Sequence, residues 1–248
     1  MTGALRIGLV LAAMLLAAPS SPTRADERVD LLLVLAADVS RSMDQAEFQL
    51  QRLGYFEALI NTRVIEAIRS GPHRRIAATF IEWAGPDAQK VVVDWAIISD
   101  EATARHFADE LIEAPRSFTG RTSISAAIDF ALARLERAPY EGPRRTIDIS
   151  GDGQNNSGRN VKLARDDAVG KGVTINGLAV ASPSTATPTP EHISPGDELA
   201  SYYRDNVIGG SGAFVMVAED FQSFGRALIN KLIAEIAQAR QPRHASAR

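Results

Sequence analysis

Apolar and polar positions along this chain follow two periods that take turns. Val29 to Ala37 is apolar except at Asp30. Such a run reads as a central parallel strand covered on both faces. Asp44 with Glu47 three residues on then offers a capping box. Phe56, Ile60, Val64 and Ile68 repeat every fourth residue, one face of a helix that Gly71-Pro72 stops. Arg75 to Trp83 and Lys90 to Ile98 read as strands joined through Gly85-Pro86-Asp87, a hairpin. Helices are expected over Asp100 to Ala114 and over Thr122 to Ala138, the second with Ile124, Ile128, Leu132 and Leu135 on one face. Arg145 to Ser150 is a short strand, Val161 to Lys171 a helix, Val173 to Val180 and Ala213 to Val217 strands. Phe221 to Ala239 closes the chain as a helix with Phe224, Leu228, Leu232 and Ile236 in register.

Strands alternating with helices predict an α/β fold, a doubly wound, mostly parallel sheet with helices on both faces. The hairpin supplies one antiparallel edge strand. Ser182 to Pro195, rich in Ser, Thr and Pro, is expected to be an irregular loop, and 241–248 a flexible tail.

The first 25 residues follow a different pattern. Arg6 precedes a charge-free apolar run from Ile7 to Ala18, and Thr23-Arg24-Ala25 places small residues at the −3 and −1 positions of a cleavage site. This is the pattern of a secretory signal peptide. The run is shorter than the roughly 20 residues that span a bilayer, so no membrane span is expected. Residues 26–240 then form one domain, periplasmic or secreted. All 30 acidic residues lie beyond residue 25 and two of the 27 basic ones before it. The remainder therefore carries 25 basic against 30 acidic residues, a net −5. That balance argues against nucleic-acid binding, which needs a basic face. With no cysteine, stability rests on a packed core rather than disulfides.

Three segments carry candidate chemistry, each at a strand end or a helix start: Asp38-Val39-Ser40-Arg41-Ser42, Gly120-Arg121-Thr122 and Ser150-Gly151-Asp152-Gly153. Open α/β sheets bind ligands outside the carboxyl ends of their strands, where the winding reverses. Asp38, Ser40, Ser42, Thr122 and Asp152 can therefore converge there. All are hard oxygen donors, with no thiol or imidazole among them. Such a set suits Mg²⁺ or Mn²⁺, Ca²⁺ less well, and not Zn²⁺ or Cu²⁺. The competing reading has Asp38 and Ser40 capping a helix and Asp152-Gly153 merely turning the chain.

Asp-x-Ser-x-Ser followed by a separate Thr and a separate Asp-Gly resembles the metal-ion-dependent adhesion site of von Willebrand factor A domains, matched here by Asp38, Ser40, Ser42, Thr122 and Asp152. The resemblance runs from about Val29 to Ala239. It implies that the serines and the threonine bind the cation directly or through water, that the aspartates act through water, and that a partner's acidic side chain completes the shell. Arg121 departs from the glycine many members carry. The segments Tyr203-Arg204-Asp205-Asn206-Val207-Ile208-Gly209-Gly210 and Ile149-Ser150-Gly151-Asp152-Gly153 are similar to a group of secreted bacterial A-domain-like proteins of unassigned function.

The resemblance implies an exported, cation-dependent protein-binding module. A metal-dependent hydrolase of the phosphatase kind is the alternative. Such enzymes carry a second carboxylate two residues after the first aspartate as acid and base, and here that position is Ser40. No catalytic base or nucleophile motif is identified. A solute-binding protein would need two lobes where this chain shows one winding. Asp148 and Glu82, charges inside strands, read either as groups beneath the cation or as buried partners of a hydroxyl or an arginine, and the structural role is the expectation. Trp83 and Trp95 are read as packing partners.

Overall fold

The computed structural model describes residues 27–181 and 195–237. The expected signal peptide, the expected 241–248 tail and residues 182–194 of the expected Ser182 to Pro195 loop lie outside them. Pro195 itself opens a helix.

In chain order the elements are β1 (Leu32–Asp38), α1 (Gln45–Leu59), α2 (Thr62–Arg69), β2 (Ile76–Trp83), β3 (Gln89–Ile98), α3 (Glu101–Glu113), α4 (Ile124–Glu136), β4 (Arg145–Gly151), α5 (Val161–Gly170), β5 (Thr174–Val180), α6 (Pro195–Asn206), β6 (Val215–Ala218) and α7 (Phe224–Ala237). The strands form one sheet in the order β3-β2-β1-β4-β5-β6. β2 and β3 pair antiparallel, and every other pair is parallel. The winding reverses between β1 and β4, the point where such sheets place their ligands.

Every residue of β1 is buried, because helices cover both faces of the central strand. Leu33 and Leu35 face one core with α1, α2, α3 and α7, where Tyr55 packs edge-on against Phe80. Val34 and Ala36 face the other, with α4, α5 and α6. Trp83 and Trp95 pack into this second core, as expected.

Two elements differ from the expectation. The single helix read from Asp44 to Ile68 is two helices. Asp44 caps α1 through the capping box with Glu47. Asn61 then accepts the N–H of Arg63 and starts α2 afresh. The four-residue repeat of Phe56, Ile60, Val64 and Ile68 survives because both helices pack on the same core. The second difference is α6, which no periodic run announced. It carries helix-start signals nonetheless, Pro195 at its first position and Asp197 and Glu198 in its first turn.

Candidate functional site

β1 ends at Asp38, and the chain folds back over it. The Ser40 N–H donates to Asp38 Oδ1 at 2.7 Å, a side-chain-to-backbone turn of the kind aspartate favours. The Arg41 N–H donates to the Gly120 carbonyl at 2.9 Å, tying this loop to the segment before α4. Arg116 clamps the loop further, its guanidinium donating to the carbonyls of Val39 and Ser40 at 2.8 and 2.7 Å.

Thr122 sits just before Ser123, the N-cap of α4. Its backbone is held at both ends by Asn156. The Thr122 N–H donates to Asn156 Oδ1 at 3.0 Å, and the Asn156 N–H donates to the Thr122 carbonyl at 2.9 Å. Asp152 follows β4 directly. All five expected residues meet in one chain of contacts. Thr122 Oγ1 donates to Ser40 Oγ at 3.3 Å, Ser40 Oγ lies 3.1 Å from Ser42 Oγ, and Ser42 Oγ donates to Asp152 Oδ1 at 2.8 Å. Asp38 joins through the Ser40 backbone.

The electrostatics are those of two buried carboxyls whose nearby cation, Arg116, does not outweigh their burial. Burial first, then the nearby Asp152 carboxylate, pushes the Asp38 carboxyl up to about 8 against the lowering pull of the Ser40 hydrogen bonds and Arg116. Asp152 is also raised, first by burial, against the hydrogen bond from Ser42. One oxygen of each, Asp38 Oδ2 and Asp152 Oδ2, is buried and has no hydrogen-bond partner. Buried polar atoms are seldom left so. Three hydroxyls and two under-satisfied carboxylates fit a hard dication, which would neutralise the pair. Among the described residues no three His, Cys, Asp or Glu side chains form a group that could hold a metal ion, so a donor set here would have to include the hydroxyls. At the rim Arg41 and Arg121 are both exposed.

Asp148 and Glu82 have structural partners. Asp148 pairs with Lys231 of α7 at 2.6 Å, and Lys231 also holds Glu235 at 2.6 Å, all three fully buried. The partner is thus a lysine rather than the hydroxyl or arginine expected. One cation between two buried carboxylates leaves a surplus negative charge. Burial, then Glu235, raises the Asp148 carboxyl to about 7 against the pull of Lys231. Glu82 pairs with Arg52 at 2.5 Å and accepts the Ser117 N–H at 2.8 Å. Asn156, Arg116 and Lys231 were not singled out from the sequence. Lys231 and Glu235 fall on the Phe224, Leu228 and Leu232 stripe of α7, a signal that they are buried.

A six-stranded, mostly parallel sheet of this order, with helices on both faces, is an α/β fold of the von Willebrand factor A kind. Solved structures of that fold agree. The pilus adhesin SpaC from Lactobacillus rhamnosus GG, in its open conformation, superposes with a TM-score of 0.57 at 13% identity, over 85% of this chain and 30% of that one. Proximal thread matrix protein 1 from the mussel byssus, with a zinc-occupied MIDAS motif, gives 0.56 at 18% over 84% and 46%. A von Willebrand factor type A protein from Catenulispora acidiphila gives 0.53 at 13% over 85% and 43%. The chain spans less than half the length of each. No curated protein matches it. Residues 28–240 match the family described as protein of unknown function (DUF1194), and the chain belongs to that family.

Proposed function

We propose that the protein is an exported binding module that holds one divalent cation, Mg²⁺ or Mn²⁺, and grips an acidic side chain of a partner protein through it. The observation that carries this reading is the convergence of Asp38, Ser40, Ser42, Thr122 and Asp152 around two buried carboxylate oxygens without partners. Ser40, Ser42 and Thr122 would supply neutral oxygens, and Asp38 and Asp152 the charge. A cation held largely by neutral hydroxyls stays electrophilic enough to attract an anionic oxygen. Arg41 and Arg121, exposed beside the serines and the threonine, favour an anionic partner at the rim.

Binding is preferred to hydrolysis on the chemistry of the site. Both carboxylates are needed to balance the cation, and a serine two residues after Asp38 cannot serve as acid and base near neutral pH. Among the described residues no helix is long and apolar enough to cross a membrane. Export rests on the N-terminal pattern, and the mature protein should begin at Asp26 in a mass spectrum of the cell-envelope fraction. The test of function is a pull-down from an envelope extract with Mg²⁺ and then with EDTA, beside phosphoester, ester and peptide hydrolysis assays. Partners released by EDTA support the reading. Metal-dependent turnover lost in Ser40→Ala would replace it with the hydrolase.

A further inference from the structure

One buried hydroxyl at the site belongs to none of the five motif residues. Tyr203 lies on α6, is fully buried, and its Oη has no hydrogen-bond partner. A buried hydroxyl without a partner costs about 1–3 kcal/mol relative to a satisfied one, and phenylalanine would fill the same space without that cost. The hydroxyl therefore calls for a reason.

The sheet is shaped to admit this ring. A Cβ on Gly177 of β5 would lie 2.7 Å from Tyr203 Cδ1, and a Cβ on Gly151 of β4 would lie 2.8 Å from Tyr203 Oη. The ring thus lies across β5 and β4 in a slot that two glycines leave open, with its hydroxyl at the carboxyl end of β4. The same Gly151 Cβ would lie 3.0 Å from Asp38 Oδ2. The tyrosine hydroxyl and the unpartnered oxygen of Asp38 therefore border the same small space above Gly151. Asp38 Oδ1 is already engaged by the Ser40 N–H, so Oδ2 is the oxygen left to be aimed. A tyrosine hydroxyl is an ordinary hydrogen-bond donor at neutral pH, so it faces the carboxylates as one. The adjacent residue braces the other carboxylate-bearing loop. Tyr202 Oη accepts the Asn155 N–H at 3.2 Å, three residues past Asp152.

We infer that Tyr203 is a positioning residue for the cation site: its hydroxyl donates toward Asp38 Oδ2 across the space above Gly151, through one water, and fixes the orientation of that carboxylate. The inference rests on the cation reading above for its consequence, but the contact itself does not need the cation. Through it α6, an element outside the five-residue motif, helps set how tightly the site holds its ion. Groups that support metal-binding side chains from behind commonly change affinity by about 10–100-fold when removed.

The test uses Tyr203→Phe, which keeps the ring in its slot and deletes only the hydroxyl. Calorimetric titration of the whole protein with Mg²⁺ and with Mn²⁺ should show affinity at least about tenfold weaker in Tyr203→Phe, at unchanged stoichiometry. A residue that merely packs would leave affinity unchanged, and that result overturns the inference. The second arm needs no metal. In EDTA, thermal unfolding of wild type, Tyr203→Phe, Asp38→Asn and the double variant forms a cycle. Tm shifts that do not add support the contact, and additive shifts overturn it. If wild type binds no metal while the cycle is non-additive, the cation reading falls and the contact stands. If wild type binds metal and Tyr203→Phe binds it equally well, only the inference falls.

Discussion

Ser42 Oγ donates to Asp152 Oδ1 at 2.8 Å, joining two residues that lie 110 positions apart. This hydrogen bond closes the rim between the loop after β1 and the loop after β4, the two strands between which the winding reverses. It also uses one oxygen of Asp152 and leaves the other without a partner. The rim is thus organised by its own hydroxyls, while its two carboxylates stay under-satisfied.

Asp38 is expected to matter for the cation and not for the fold. Its carboxyl is buried beside that of Asp152, and burial first, then Asp152, opposes its ionisation. Asp38→Asn should unfold in EDTA at the wild-type temperature or above, and should bind Mg²⁺ more than about tenfold more weakly. A variant unfolded by circular dichroism would make Asp38 structural.

Asn156 holds Thr122 at both its N–H and its carbonyl. Asn156→Ala removes the side-chain acceptor and keeps the backbone contact. Mg²⁺ affinity should fall about tenfold with circular dichroism unchanged. Asn156→Asp, which retains the acceptor oxygen, should restore most of the loss. Equal affinities in all three proteins would show that Thr122 needs no such clamp.

The buried Asp148–Lys231–Glu235 cluster predicts a pH dependence. The folded-state carboxyl of Asp148 is raised from 3.8 to about 7, by burial first and then by Glu235. A raised carboxyl favours the fold when protonated, and that contribution is lost as pH rises from about 4 to about 7. In Asp148→Asn no such loss occurs, and Lys231 keeps Glu235 as its partner. The variant's Tm minus the wild-type Tm, measured in EDTA, should therefore increase between pH 4 and 8, by more than about 3 °C. A difference that stays flat or shrinks contradicts this account of the cluster.

Gly177 should tolerate no side chain. Its added methyl would meet the Tyr203 ring at 2.7 Å and Ile208 Cγ2 at 3.3 Å. Gly177→Ala should destabilise by about 1–3 kcal/mol through overpacking, read as a lower denaturant midpoint with an unchanged slope. Wild-type stability in this variant would mean that α6 shifts freely, and the slot for Tyr203 would lose its meaning.

The sequence carried the sheet and the rim for physical reasons that act locally. β1 announces itself because a strand buried on both faces must be apolar throughout. Asp44 and Glu47 announce α1 because a helix start needs acceptors for its free N–H groups. The five rim residues stand out because hard oxygen donors recur at two strand ends and one helix start. What stayed hidden depends on distance in space. The break at Asn61 preserves the apolar repeat, so periodicity reads straight through it. Arg116, Asn156 and Tyr203 act by reaching residues far away in the chain, and nothing next to them marks the partner. α6 was legible in part: Leu199, Ala200, Tyr203 and Val207 are buried at helical spacing, behind a proline and two acids, but its polar residues mask the stripe.

Asp38, Ser40, Ser42, Thr122 and Asp152 are expected to hold one divalent cation together. Calorimetric titration of the folded wild-type protein with Mg²⁺ and Mn²⁺ tests it most directly, with Ser40→Ala alongside. One ion per chain is expected in wild type and none in Ser40→Ala. A folded wild-type protein that shows no heat of binding and no Tm increase at millimolar metal would contradict it.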